Sequence, residues 1–217
     1  LEFVRPVQWL VCLYGSSIIP IQLLGKKASN TSSGHRFMSG GQFEITSAND
    51  YVELCRKNYV LADFTERKNL IREQVVKLAT QEKSHLEVDE DLLNEVTSLV
   101  EWPRALAGGF DSSFLSVPPE ALVSAMKEHQ RYFHLMDNNG KLVPRFITIS
   151  NIESLDSSQV VAGNERVIRP RLADAAFFFE QDTRTSLEEK FTRLENVVFQ
   201  ADLGTYAEKC HRIASLA

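Results

Sequence analysis

Apolar positions fall in short runs through the first 150 residues and at helical spacing afterwards, and this change of period divides the chain. Residues 7–14 and 18–24 are strand-like runs joined across Gly15-Ser16-Ser17, which predicts a hairpin of buried strands. A polar loop is expected over 26–34 and a short strand near 43–46. Ser47 with Asp50 three positions on resembles a capping box, opening a helix through Lys57. Tyr59-Val60-Leu61-Ala62 has the composition of a short buried strand. Thr65 is placed as the cap of a long amphipathic helix carrying Leu70, Ile71, Val75 and Leu78 at helical spacing. Asp89 caps a second helix with Leu92, Leu93, Val96, Leu99 and Val100 on its apolar side, ending before Trp102-Pro103. Pro118-Pro119 opens a third, buried through Leu122, Val123 and Met126.

The clearest hairpin signal is Asp137-Asn138-Asn139-Gly140 between the runs 131–136 and 141–150. Pro144 removes a ladder donor from the second run and belongs at an edge or a bulge. From Ser157 onward every segment reads as helix. Gly163 marks a helix end, Pro170 the first turn of a restart, and Ser186 with Glu189 another capping box before Phe191, Leu194 and Val198; a last helix begins near Thr205. Mixed β and α to about residue 150, followed by helices alone, predicts an α+β domain and the first helices of a separate all-α domain, with boundaries at 1–180 and 181–217.

The composition is ordinary for a globular chain, with 43% apolar and 24% charged residues. A net charge of −5 argues against a generally adhesive nucleic-acid binder but leaves room for a local basic face. Cys12, Cys55 and Cys210 are few, odd in number and far apart; a reduced, cytoplasmic setting follows, without a disulfide framework. The most apolar stretch, 7–24, is interrupted by Gly15, Ser16, Ser17, Pro20 and Gln22 and is not expected to span a membrane. The chain opens on Leu1-Glu2-Phe3 without Met and stops within a helical pattern, so it is read as an internal piece of a longer protein.

Catalytic chemistry is not recognisable. Gly163-Asn164-Glu165-Arg166 lacks both phosphate-loop spacings. The five histidines include no HExxH pair, and His129 and His134 straddle a helix-to-strand change that one metal cannot bridge from a single face. No GxSxG elbow supports a Ser/His/Asp triad, and the acidic run Glu87, Asp89, Glu90, Asp91 suits a solvated helix start. No catalytic or metal-binding residue is assigned. Two basic sets remain: Lys127, His129 and Arg131 beside Tyr132 and Phe133, and Arg166, Arg169 and Arg171 within six positions. Guanidinium groups match phosphate geometry and aromatic rings offer faces to unpaired bases, so each set is an RNA-facing candidate. On spacing alone a salt-bridged helix face is the better explanation of either.

Strings along the chain carry a family resemblance. They include Gly34-His35-Arg36-Phe37-Met38, Ala62-Asp63-Phe64-Thr65-Glu66-Arg67, Glu101-Trp102-Pro103 and the run 114–125. They continue with Gln130-Arg131-Tyr132-Phe133, the run 140–146, Ser150-Asn151-Ile152-Glu153-Ser154, the run 163–175 with Phe177-Phe178-Phe179, and Leu203-Gly204-Thr205. In this order, from Phe3-Val4-Arg5-Pro6 to Arg212-Ile213, they resemble the beta subunit of the bacterial glycine–tRNA ligases. The resemblance implies an α2β2 enzyme that attaches glycine to tRNA(Gly) at the expense of ATP. ATP and magnesium would sit on the alpha subunit, none in this chain. The partners would be that alpha subunit, a second beta subunit and tRNA. It also implies a domain like the B3/B4 region of phenylalanine–tRNA ligase, then the start of an HD-like helical domain. Gly108-Gly109 departs from the family pattern and reads as a loosened loop, and Glu128-His129 weakens His129 as a shared RNA contact.

Three roles follow. The piece contributes to tRNA binding, with Arg166, Arg169, Arg171, Lys127 and Arg131 as contacts. Alternatively it is a structural module that holds alpha and beta subunits together without touching RNA. An editing activity is implied only by the B3/B4 likeness and has no catalytic constellation behind it; glycine has no smaller amino acid to be proofread against.

Overall fold

The computed structural model describes residues 7–217; Phe3-Val4-Arg5-Pro6, the first of the matched strings, lies outside them. By compactness the chain divides into two units, Leu1–Arg171 and Leu172–Ala217. The division falls inside one helix, not in a linker.

Two-residue hairpins open the first unit: β1 (Leu13–Tyr14) pairs with β2 (Ser17–Ile18), and β3 (Gln22–Leu23) with β4 (Lys26–Lys27). The turn at Gly15-Ser16 falls where the sequence places it. The second turn is unforeseen, with Leu24 and Gly25 both at positive φ, 53° and 75°, as a type I′ turn requires. The strands are not buried: Tyr14, Ile18 and Leu23 are all exposed. Runs of apolar residues imply burial only when a second layer covers them, and among the described residues none covers these. The expected polar loop at 26–34 instead contains β4 and β5 (Thr31–Ser33), which pairs with β6 (Gln42–Glu44).

A helical turn at Ala48–Asp50, capped by Ser47 onto Asn49 N–H, leads into α1 (Tyr51–Lys57). The reciprocal half of the expected box is taken elsewhere, since Asp50 accepts from the Thr46 hydroxyl at 3.3 Å. Residues 59–62 form no strand; Leu61 donates one isolated backbone bond to Glu101 at 2.9 Å. α2 (Phe64–Gln81) starts two residues earlier than expected because Asp63, not Thr65, caps it, accepting from Glu66 N–H at 2.7 Å. α3 (Glu90–Leu99) is capped by Asp89 as the sequence indicates.

β7 (Arg104–Gly109), β8 (Phe133–Met136) and β9 (Leu142–Ser150) form the main sheet, antiparallel in the order β7-β9-β8. Between β7 and β8 lie α4 (Pro119–Ser124), with Pro119 at its first position, and a π-helical turn at Ala125–His129. Asp137 closes the β8–β9 turn by accepting from Asn139 and Lys141 N–H, and Gly140 takes φ 73°. β9 is the central strand, so Pro144 is not at an edge. The register shift against β8 between His134 and Met136 puts Pro144 in a bulge, where its missing N–H is not needed.

Side-chain alternation gives the sheet two buried faces. Phe133, Leu135 and Ile147 pack with Ile71, Val75 and Ala79 of α2 and with Leu92, Leu93 and Val96 of α3. On the other face Phe146 stacks on Tyr132, rings 4.4 Å apart and 6° from parallel. Gly108 makes this possible. A Cβ there would stand 2.6 Å from Phe146 Cζ, so the ring lies directly on bare backbone. Gly108 and Gly109 are thus strand residues, Gly108 under a packed ring and Gly109 against Arg145 and the Pro144 carbonyl, and the expectation of a loosened loop is corrected.

α5 (Ser157–Thr183) crosses from the first unit into the second. Its first half is fixed to the sheet by Tyr132, whose hydroxyl donates to Asn164 Oδ1 at 2.6 Å, and by Glu165, which accepts from Gly109 N–H at 2.8 Å. Neither Gly163 ends a helix nor Pro170 starts one; both are interior. Pro170 deprives the Arg166 carbonyl of a donor, a cost of about 3 kcal/mol. Full burial of Ile168 and Leu172 on either side offsets it, and local punctuation is overridden.

The second unit continues with α6 (Leu187–Leu194), whose cap Ser186 accepts from Glu189 N–H. Where helix alone is expected, β10 (Val198–Gln200) and β11 (Gly204–Thr205) form a hairpin before α7 (Tyr206–Leu216). Thr205 and Glu208 make a complete capping box. Phe199 meets Tyr206 edge-on, and the Lys209 ammonium sits 3.8 Å from the Phe199 centroid.

Replacing Gly108 with Ala should destabilise the protein by about 1–3 kcal/mol through displacement of the Phe146 ring. Urea unfolding followed by tryptophan fluorescence would measure it; an unchanged midpoint would show that the ring has room to move.

Candidate functional site

The two basic sets meet different fates. Lys127 sits in the π-helical turn, where its ammonium lies 2.5 Å from Asp89 Oδ2 at the start of α3. Arg131 closes that turn at φ 57°, a left-handed conformation uncommon outside glycine; its Nε lies 2.7 Å from Glu95, and its guanidinium also bonds the Glu128 carbonyl. Both cations therefore neutralise carboxylates of α3. Asp89 is held below its usual range, first by the Leu92 N–H and then by Lys127, and the Lys127 ammonium is pushed up mainly by Asp89. The neighbouring Glu90 is lowered to about 2, chiefly by Arg72 and next by Lys68. A phosphate approaching Lys127 or Arg131 would meet compensated charge. Lys127 and Arg131 are thus the salt-bridged of the two sets.

Arg166, Arg169 and Arg171 are exposed on α5, and none forms an ion pair among the described residues. Helical geometry does not group them as one cluster. Arg166 and Arg169 lie about 60° apart around the axis, while Arg171 is about 140° from Arg166, on the far flank of the stripe that buries Ile168. Arg169 borders a cleft of about 270 Å³ lined by Gly109, Phe110, Asp111 and Glu165. Asp111 caps the helical turn Ser112–Ser116 and is held below its usual range by the Ser113 N–H and hydroxyl, with a smaller contribution from Arg169.

The cleft is not built for catalysis. Glu165 is committed to the Gly109 N–H, Asp111 to its cap, and no histidine, cysteine or hydroxyl nucleophile lines it. Its two carboxylates would repel an anion placed inside, so Arg169 can serve a phosphate only from the rim. Among the described residues no three His, Cys, Asp or Glu side chains group as metal ligands, and no helix is long and apolar enough to cross a membrane. One feature escaped both sets: the adjacent Arg36 and Phe37, exposed on the loop between β5 and β6.

A family model described as the glycyl-tRNA synthetase beta subunit matches residues 1–217. The chain belongs to the glycyl-tRNA synthetase beta subunit family. It is 52% identical over 216 residues to the glycine–tRNA ligase beta subunit of Chromohalobacter salexigens and 52% identical to that of Stutzerimonas stutzeri. The corresponding subunit of Azotobacter vinelandii is 53% identical. In each case the whole of this chain is covered, but only 31–32% of the relative's length. The chain thus spans about a third of the glycyl-tRNA synthetase beta subunits it matches.

Asp89 caps α3 and anchors Lys127, so Asp89→Ala should cost about 1 kcal/mol in urea unfolding. The difference should depend on pH. The folded-state pKa of Asp89 is depressed, so the unfolded chain takes up its proton first as pH falls. The wild-type advantage should be complete above about pH 5 and fade as pH drops below the ordinary value of 3.8. Unfolding curves of both proteins from pH 7 to 2.5 would show it, and a constant difference would remove the carboxylate from the explanation.

Proposed function

We propose that this chain is part of the tRNA-handling beta subunit of an α2β2 glycine–tRNA ligase of the cytoplasm. In that assembly an alpha subunit, with ATP and magnesium, activates glycine, and this portion of beta helps to hold tRNA(Gly). The family match supports the parent activity. The observation that carries the local role is that the guanidinium groups on α5 are exposed and form no ion pair among the described residues, against the paired state of Lys127 and Arg131. Solvated guanidinium groups without an ion-pair partner keep their attraction for phosphate, which applies to Arg166 and Arg171, with Arg169 acting from the rim of its acidic cleft. We further read residues 1–180 as a B3/B4-like domain and 181–217 as the start of an HD-like domain. The antiparallel sheet covered on both faces, followed by helices around one small hairpin, is compatible with that reading.

A second reading is a module that packs alpha against beta subunits. The exposed apolar residues of the opening hairpins, Tyr14, Ile18, Leu23 and Leu24 among them, favour it for that face. On this reading the arginines of α5 would pair with carboxylates of a neighbouring subunit.

Alanine at Arg166, Arg169 and Arg171 in the full-length subunit within its assembly separates the two. Each phosphate contact removed should flatten the dependence of log affinity for tRNA(Gly) on log salt by about one. Arg166 and Arg169, which share a face, should act together, and Arg171 separately. Unchanged affinity at several salt concentrations would deny these arginines an RNA role. Dissociation of the subunits in sedimentation, with tRNA contacts intact, would favour the packing module.

A further inference from the structure

The loop between β5 and β6 holds an aromatic ring in water on a pinned backbone. A Cβ on Gly34 would lie 2.5 Å from Ser39 Oγ and 2.7 Å from Asn58 Cβ, so only glycine lets the loop fold back on itself. Gly34 donates its N–H to the Gly41 carbonyl at 3.0 Å, and Ser39 donates to the His35 carbonyl at 3.0 Å. His35 is only 2% exposed. Its Nε2 lies 2.6 Å from the Asn151 carbonyl, which can only accept, so Nε2 carries the proton. Nδ1 is left to accept the Phe37 N–H at 3.3 Å. The Asn151 side chain accepts in turn from Glu101 and Trp102 N–H at 2.6 and 3.0 Å, tying the loop to the end of β9 and the segment after α3.

On this fixed backbone the Phe37 side chain is 76% exposed. The Arg36 guanidinium stands 5.6 Å from its ring centroid, is itself exposed, and has no carboxylate partner among the described residues. A mobile loop could expose a ring incidentally, but this one is ordered by a buried histidine and two layers of hydrogen bonds. An exposed ring on an ordered backbone, with the Arg36 guanidinium over it, matches one unpaired nucleotide, with the base on the ring and the phosphate on the arginine. An apolar pocket of a protein partner would take the ring but would leave the cation unanswered.

We infer that Arg36 and Phe37 form a stacking site for an unpaired nucleobase of the tRNA. The inference rests on the reading that this subunit holds tRNA, and it adds a contact independent of α5.

The test uses the full-length subunit in its assembly with tRNA(Gly). Phe37→Ala should weaken binding about tenfold without changing the salt slope, because stacking releases no counterions. Phe37→Trp should bind as the wild type does. Arg36→Ala should lower the slope by about one. Transfer RNA carrying 4-thiouridine should crosslink to residues 34–41. Wild-type affinity in Phe37→Ala, with crosslinks elsewhere in the subunit, would overturn this site and leave the tRNA reading standing. Absence of any crosslink to residues 7–217 would overturn both. Loss of binding in both Phe37 variants at unchanged melting temperature would also overturn it, since a stacking face accepts the larger ring. Release of a subunit on sedimentation, with tRNA affinity intact, would make Phe37 a protein contact instead.

Discussion

The close approach of the Phe146 ring to the bare backbone of Gly108 is the contact from which the rest of the first unit takes its positions. β9 is the central strand of a sheet buried on both faces, so its side chains must find partners above and below. On one face α2 and α3 supply them. On the other, Phe146 turns back over β7, which works only because position 108 has no Cβ. The ring then offers a flat surface to Tyr132, and burial pushes the pKa of the Tyr132 hydroxyl up to about 12. The phenol donates to Asn164. The start of α5 is thereby set against the sheet, with Glu165 on the Gly109 N–H as the second fastening.

Once that register is set, the outward residues of α5 follow from helical geometry. Ile168 turns inward, Arg169 faces the rim of the Asp111 cleft, and Arg166 and Arg171 point to solvent on different sides. The other basic set is placed differently. Lys127 and Arg131 sit opposite the start and middle of α3, a helix whose first turn is acidic because acids favour that end of the macrodipole. Their charges are spent on fold stability, each such surface pair contributing roughly 0–1 kcal/mol.

How far the sequence was legible depended on whether local chemistry or packing decided each element. Asp89, the Asp137–Gly140 turn and Thr205 act through bonds to residues within four positions, and Pro119 through its fixed φ at a first helical position; each was readable from type and spacing. Gly163 and Pro170 were misread because their usual local meaning is overridden by a helix anchored through Ile168 and Leu172. Gly108 was misread for a related reason: its function is to admit Phe146, 38 positions away, and periodicity carries no record of such a contact. The hairpin at β10–β11 escaped because its strands are three and two residues long, shorter than any alternation a pattern can register. Within the candidate site, the pairing of Lys127 and Arg131 depended on distant carboxylates and could only be left open.

A chain of net charge −5 with many of its cations paired cannot hold RNA by bulk attraction. Any affinity it lends a larger assembly must come from a few groups held in place without compensating partners. Rigidity matters here as much as charge, because ordering a long side chain or a loop on binding costs free energy that a prearranged one does not. The α5 arginines have their backbone set by a helix fastened to the sheet at Asn164 and Glu165. Arg36 and Phe37 have theirs set by a buried histidine fastened to the end of the same sheet. Both groups are thus tied to β7 and β9 or to the residues just beyond them. The scaffold's contribution to recognition would be to hold a few solvent-facing groups still, while many of its other cations are paired internally.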